Sequence, residues 1–249
     1  MAGPASPVEA GANAFPLSDD IRKRRNYALL MLMLVYMSSH IDRGIVGILA
    51  EPIKKDLNLN DTQIGIMSGL AFALFYATLG IPLAVLADRT NRRNIIVVAL
   101  TTWSAMTVVC GLAQNYVQLL LARIGVGIGE AGSSPQSHSM ISDMYAPHER
   151  ARALGFYSLG VTFGGMIGVL VGGYVSVHWG WRTAFFIVGA PGIVLAILVY
   201  LTVPEPPRLN RSARPEGANA WKEMGAGFSF IWTSAACRHV IAGLTLTAF

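Results

Sequence analysis

Six apolar runs, each longer than 18 residues, set the first limit on this chain. They lie near 26–50, 61–87, 94–114, 116–142, 151–177 and 182–203. A hydrocarbon core of about 30 Å takes roughly 20 apolar residues of helix to cross, so each run predicts one membrane-spanning helix. A seventh apolar stretch begins near Val240 and stops at Phe249, too short to span. With 53% hydrophobic and 13% charged residues, the chain is too apolar for a soluble domain of its 249 residues. The first run follows the cationic Arg22-Lys23-Arg24-Arg25, as a targeting segment would, but it is long and carries Asp42-Arg43. A cleavable signal peptide is therefore not expected.

Against this background, charges at membrane depth are the candidate functional residues. Each costs about 2.5–3.5 kcal/mol on insertion scales, and such groups face a bundle interior or a water-filled path. Arg123 and Glu130 lie in the stretch ARIGVGIGEAGSSP, 122–135, with glycines at 125, 127 and 129 between them. Seven residues apart, they share one helix face, roughly 10 Å apart along the axis. Asp42 and Arg43 in span one are adjacent, so they point about 100° apart and each needs a partner elsewhere. Arg43 snorkelling at a helix end is the bland alternative, but residues 44–50 are apolar again and Glu51-Pro52 marks the exit. We read the four charges as lining the working cavity of a transporter. Beyond Glu130, Pro135 removes a helix donor and predicts a kink. Ser133, Ser134 and Gln136 can satisfy the freed carbonyls or touch substrate. For His138 a structural role and a proton-relay role are both open.

Orientation follows from Lys and Arg. One side collects Arg22 to Arg25, then Arg89, Arg92 and Arg93, then Arg150 and Arg152, then Arg208, Arg211, Arg214, Lys222 and Arg238. The other has only Lys54, Lys55 and Arg182. The N-terminus is thus expected in the cytoplasm, and the net charge of +5 reflects this sorting rather than a nucleic-acid partner. Cys110 falls within a span and Cys237 after the sixth, so neither a disulfide nor a metal site is expected.

Residues 1–25 are expected to form a disordered cytoplasmic tail, 26–203 a six-helix bundle, and 204–236 a cytoplasmic linker with an interfacial helix near Trp221 to Trp232. Residues 237–249 would begin a seventh helix. Asp61-Thr62-Gln63 after Asn58 reads as an N-cap opening span two. That span carries Gly65, Gly69, Ala73 and Ala77, and span five carries Gly160, Gly164, Gly168 and Gly172. Small residues at this spacing let another helix approach closely. Span three, with Trp103, reads as a support facing lipid. Asp88 sits where a helix C-terminus disfavours an anion, so it needs compensation from neighbouring arginines or a helix N-terminus.

The segment ADRTNRR, 87–93, resembles the loop motif of the major facilitator superfamily, G-x-x-x-D-R-x-G-R-R. Asp88, Arg89, Arg92 and Arg93 match; Ala84 and Asn91 replace its two glycines. That Asn, with HIDRG at 40–44, IGIMSG at 64–69, GIGEA at 127–131 and ISDMYAPHERARALGFY at 141–157, is similar to the spinster subgroup, and the likeness runs from about Tyr36 to Pro206. The resemblance implies an all-α membrane protein forming the N-terminal half of the superfamily fold, two inverted three-helix repeats with the site at their interface. It implies a cytoplasmic gate in which Asp143 and Glu149 pair with arginines of the 88–93 loop. It also implies that spans two and five pack against a second half. That C-terminal six-helix half is missing here, so the sequence is expected to be a fragment or to pair with another chain.

The expected function is proton-coupled transport by alternating access in the bacterial inner membrane. Asp42 and Glu130 would couple to protons. Arg43, Arg123, His138 and Ser134 would serve as charge partners or substrate contacts. Resemblance to spinster proteins implies an amphipathic anionic lipid, a lysophospholipid or sphingoid phosphate, as substrate. A small organic anion or drug is the nearest rival. A non-transporting receptor or scaffold has no need of four charges at membrane depth. No nucleophile–base pair, phosphate loop or metal cluster is present, so neither an enzyme nor a cofactor is expected. Partners would be membrane lipids, protons and the substrate.

Overall fold

Apolar runs with small residues every fourth position build helices that pack through backbone contact rather than through large side chains. The computed structural model of the chain describes residues 19–208 with 233–235, 238 and 239; the side chains at 19, 20, 81 and 84–89 fall outside that description. All the helices below belong to the unit 1–208, and residues 209–249 form a separate unit. Most of the expected interfacial helix and seventh helix lies outside the described residues, as do residues 1–18 of the expected tail. Residues 19–25, also assigned to that tail, are already helical.

Span one is α1, Asp19–Asp56, which runs through Pro52 for another turn instead of ending there. Span two comprises α2, Asp61–Gly65, a π-helical turn at Ile66–Leu70, and α3, Ala71–Arg89. Its cap is Asn60, not Asn58. The Gln63 amide donates to Asn60 Oδ1 at 2.8 Å, and the Asn60 amide donates to Gln63 Oε1 at 3.0 Å. This reciprocal box closes two orphan donors of the helix start, while Asn58 takes a left-handed turn with φ 54°.

Span three is α4, Arg92–Leu112. Span four is broken into α5, Tyr116–Glu130, and α6, Ser134–Met144. The break at 131–133 precedes Pro135, which opens α6 instead of kinking a continuous helix. Its ring nitrogen could not donate to Ala131, so the chain turns there. Spans five and six form α7, Pro147–Thr202, divided at Gly180, whose φ of 81° and ψ of 163° interrupt the helix. An L side chain is disfavoured in that backbone region. No strand occurs among the described residues.

The first helix of each triplet packs on the second helix of the other, span one on span five and span four on span two, while spans three and six pair. This exchange is what two inverted repeats produce. The glycines of span five make it possible. A Cβ at Gly164 would lie 2.5 Å from the Met37 carbonyl oxygen, and one at Gly160 2.8 Å from that of Met33. Span five's stripe is therefore filled from within this half, contrary to the expectation that it packs against a second half. Span three is exposed along one side, with Val98 at 65% and Leu112 at 61%, and packs inward on the other, where Trp103 is wholly buried with its backbone against Gly129 of span four, because a glycine there leaves no Cβ to hold the helices apart.

Candidate functional site

Asp42 and Arg43 sit in the middle of α1 and, being adjacent, reach toward different partners. Arg123 Nη1 donates to Asp42 Oδ1 at 3.1 Å, and Arg43 Nε donates to Glu130 Oε2 at 2.6 Å. All four charges expected to converge do so, as two crossed ion pairs between spans one and four. Arg123 and Glu130 face the same way because seven residues make nearly two helical turns.

The two pairs differ in access. Asp42 and Arg123 are each 2% exposed. In the other pair Glu130 is 1% exposed and Arg43 35%. Asp42 also accepts a hydrogen bond from the Thr107 hydroxyl of span three, so both its oxygens are engaged. Glu130 has one oxygen on Arg43 and the other without a hydrogen-bond partner among the described residues. It is also the last residue of α5, where the helix dipole is unfavourable to an anion. Arg43 offsets that cost.

Span two supplies the aromatic wall. The Arg43 guanidinium lies 5.0 Å from the Phe72 ring centre and 4.7 Å from that of Tyr76, and Arg123 lies 5.6 Å from Phe72 on its own side. Phe72 thus lies within cation–π range of both guanidinium groups and attracts both. Thr107, Phe72 and Tyr76 were not singled out from the sequence. Phe72 and Tyr76 are four apart on one helix face, a spacing indistinguishable from ordinary core packing.

Ser134 and His138 do not join the four charges. They lie on α6, where His138 Nδ1 donates to the Ser134 carbonyl at 2.8 Å and its ring stands edge-on to Tyr157 at 5.1 Å. Tyr157 stacks on Tyr36 at 4.4 Å, and His40 meets Tyr36 edge-on at 4.5 Å. Gln136 fastens span four to span two, its Nε2 donating to the Leu83 carbonyl at 3.2 Å.

At the end bearing the 88–93 loop, Arg92 is buried in a polar knot. It donates to Asp143 at 2.5 Å, to Glu205 at 2.9 Å, to the Ser139 hydroxyl at 2.8 Å and to the Pro206 carbonyl at 2.9 Å. Asp143 meets the loop as expected, but Glu149 does not. It forms a two-pronged pair with Arg25, at 2.7 and 2.9 Å. The reason is positional: the glycine stripe lays span five along α1, so its first turn lands beside the start of α1. Arg93 reaches the Val203 carbonyl, Asn94 and the Tyr200 ring instead of an acid. The side chains of Asp88 and Arg89 lie outside the described residues. Glu205 was read as part of a linker; its lone acidic charge between Pro204 and Pro206 was the only signal that this segment is held on the bundle.

A profile of the Major Facilitator Superfamily matches residues 32–249. The chain belongs to that superfamily and corresponds to the N-terminal half of its members. It is 45% identical, with a TM-score of 0.70, to a crystal structure described as a bacterial homolog to the human lysosomal transporter Spinster, inward-facing and occupied; the match covers 74% of this chain and 45% of that one. It is 38% identical over 232 residues to an MFS-type efflux pump of Mycolicibacterium smegmatis, covering 91% of this chain and 54% of the relative. It is 30% identical over 184 residues to a probable L-galactonate transporter of Escherichia coli, covering 74% and 40%. The chain thus spans about half the length of the curated relatives it matches.

Proposed function

We propose that this chain is half of a proton-coupled secondary transporter that works by alternating access, and that it carries an amphipathic anionic lipid such as a lysophospholipid or a sphingoid phosphate. The observation that carries the proposal is the unequal pair of buried ion pairs. A carboxylate held by one hydrogen bond to a partly exposed arginine is released by a single proton. Protonation of Glu130 would free Arg43 to hold an anionic group, two-pronged if it is a phosphate. Asp42 is held by Arg123 and Thr107 together, so it would protonate only when spans one and four separate. The likeness to the bacterial spinster homolog supports a lipid substrate. The likenesses to an efflux pump and a galactonate transporter support the second reading, a drug or a small organic anion on the same arginine. In this reading the N-terminus lies in the cytoplasm of a bacterial inner-membrane protein, the knot around Arg92 belongs to the cytoplasmic gate, and a second six-helix half covers span two.

The test is proton-driven uptake by the full-length protein in proteoliposomes, with lysolipid, sphingoid phosphate and sugar acid as alternative substrates. Asp42→Asn and Glu130→Gln are each expected to lower gradient-driven uptake by at least ~10-fold, since each removes a proton-binding carboxylate. Unchanged coupling in both variants would remove this mechanism, and the substrate that is accumulated decides between lipid and small anion.

A further inference from the structure

The Thr107 hydroxyl faces two acceptors and has one hydrogen to give. Asp42 Oδ2 lies on one side, and the Trp103 carbonyl, at 2.9 Å, on the other. The bond to Trp103 is the ordinary habit of a hydroxyl on a helix. Thr101, Ser158 and Thr183 likewise donate to the carbonyl four residues back. The bond to Asp42 is what the fold adds. Thr107 is wholly buried and Asp42 is 2% exposed, so bulk water serves neither group.

The two side chains fit each other in both protonation states. An ionised carboxylate only accepts, whereas a protonated one also has an O–H to donate; a hydroxyl donates once and accepts through two lone pairs. While Asp42 is ionised, Thr107 gives it the hydrogen. Once Oδ2 holds a proton, that O–H donates to Thr107 Oγ1, and Thr107 turns its own hydrogen to the Trp103 carbonyl. Rotation of one O–H bond is the only movement required. The Trp103 backbone is fixed for this role by its contact with span four, since a Cβ at Gly129 would lie 2.6 Å from the Trp103 nitrogen.

The other charged and titratable groups around Asp42 are engaged elsewhere. Arg123 of span four holds Oδ1 and has no acceptor to offer. Arg43, next on α1, is turned to Glu130 of span four and to the Tyr76 ring of span two. Span three adds Cys110 beside Arg123. Span five meets this part of α1 through Gly165 and Gly168, which carry no side chain.

We propose that Thr107 is a positioning residue of the proton step, donating to Asp42 when it is ionised and accepting from it when it is protonated, so that spans one and four can close on either form. This deepens, and rests on, the proton-coupled reading above. Alternating access takes both forms through a closed state. A buried O–H without an acceptor would oppose closure on the protonated one.

The first test needs no substrate. In infrared spectra of the full-length protein in detergent, taken from neutral to acid pH, the carboxylic C=O band that disappears in Asp42→Asn belongs to Asp42. In Thr107→Val that band should move to higher wavenumber, because the carboxyl has lost its acceptor, and in Thr107→Ser it should return; Thr107→Ala serves if the valine variant does not fold. In proteoliposomes offered lysolipid, sphingoid phosphate and sugar acid in turn, Thr107→Val should lower the ratio of gradient-driven uptake to substrate exchange at least ~10-fold, since exchange needs no net proton transfer. Thr107→Ser should restore that ratio. A band that stays in place in Thr107→Val, a serine variant that restores neither readout, or an equal loss of uptake and exchange, which marks a packing role, overturns the proposal. If no band is lost in Asp42→Asn, Asp42 takes no proton and the coupling reading falls with it; a band that is lost there but indifferent to Thr107 sinks the role of Thr107 alone.

Discussion

The stripes of small residues in spans two and five look alike in sequence but meet opposite fates. Gly160, Gly164, Gly168 and Gly172 are buried, and at each a Cβ would meet an atom of span one at 2.9 Å or less. Gly65, Gly69, Ala73 and Ala77 are exposed, and neither glycine would bring a Cβ within 4 Å of anything. The two spans occupy equivalent places in the inverted repeats, so local chemistry does not explain the difference. The partner of span five lies within this half. The contrast teaches that a small-residue stripe promises close approach without saying which helix approaches, since lipid-exposed helices gain no hydrophobic driving force from choosing one partner over another.

The largest expected effect is at Gly164. Its Cβ would press on the Met37 carbonyl oxygen, which is backbone and cannot swing away. Gly164→Ala should destabilise the bundle by about 2–3 kcal/mol, within the usual cost of overpacking, as read by thermal unfolding in detergent. Gly172→Ala should cost less, about 1 kcal/mol, because its obstacle is the Ile45 side chain at 2.8 Å, which can turn. Equal costs at the two sites would mean the interface yields as a whole.

A smaller effect is expected where the same two spans are pinned by Arg25 and Glu149. That pair is partly exposed, at 26% and 34%, and two-pronged. Glu149→Gln should cost about 0.5 kcal/mol, and less in high salt, because exposed pairs are screened. A loss comparable to that at Gly164 would place the clasp, not the stripe, at the centre of the interface.

The smallest effect is expected in span two. Gly69→Ala should leave the unfolding temperature of residues 1–249 unchanged or slightly raised, since alanine favours the helix by up to about 1 kcal/mol and meets nothing. A clear loss of stability would show that the stripe is already covered within this half. In the full-length protein the bulkier Gly69→Leu should impair uptake, because the proposed second half would then meet a side chain there.

Much of the site could be read from the sequence because lipid makes charge expensive. Asp42, Arg43, Arg123 and Glu130 stood out against an apolar background, and helix geometry alone required Asp42 and Arg43 to find separate partners. Thr107, Phe72 and Tyr76 could not be read, because a threonine or an aromatic pair costs little in a membrane helix and gives no warning. Glu149 was matched to the arginines of the 88–93 loop by resemblance to the superfamily, and that likeness does not say that span five lies along α1 and brings Glu149 to Arg25. Glu205 was missed because prolines after a helix read as a linker whether or not the segment docks.

By itself the sequence determined that the chain is built from apolar helices long enough to cross a bilayer, where most of them begin, and which charged groups must hide from lipid. Those follow from the bilayer's thickness and its low dielectric constant, which act on each segment separately. Only the tertiary structure decided which arginine meets which carboxylate, which glycine stripe is filled, and that one ion pair is sealed while the other stays half open. Those depend on how the two triplets interlock, and packing between helices is a property of pairs of segments that no single segment carries.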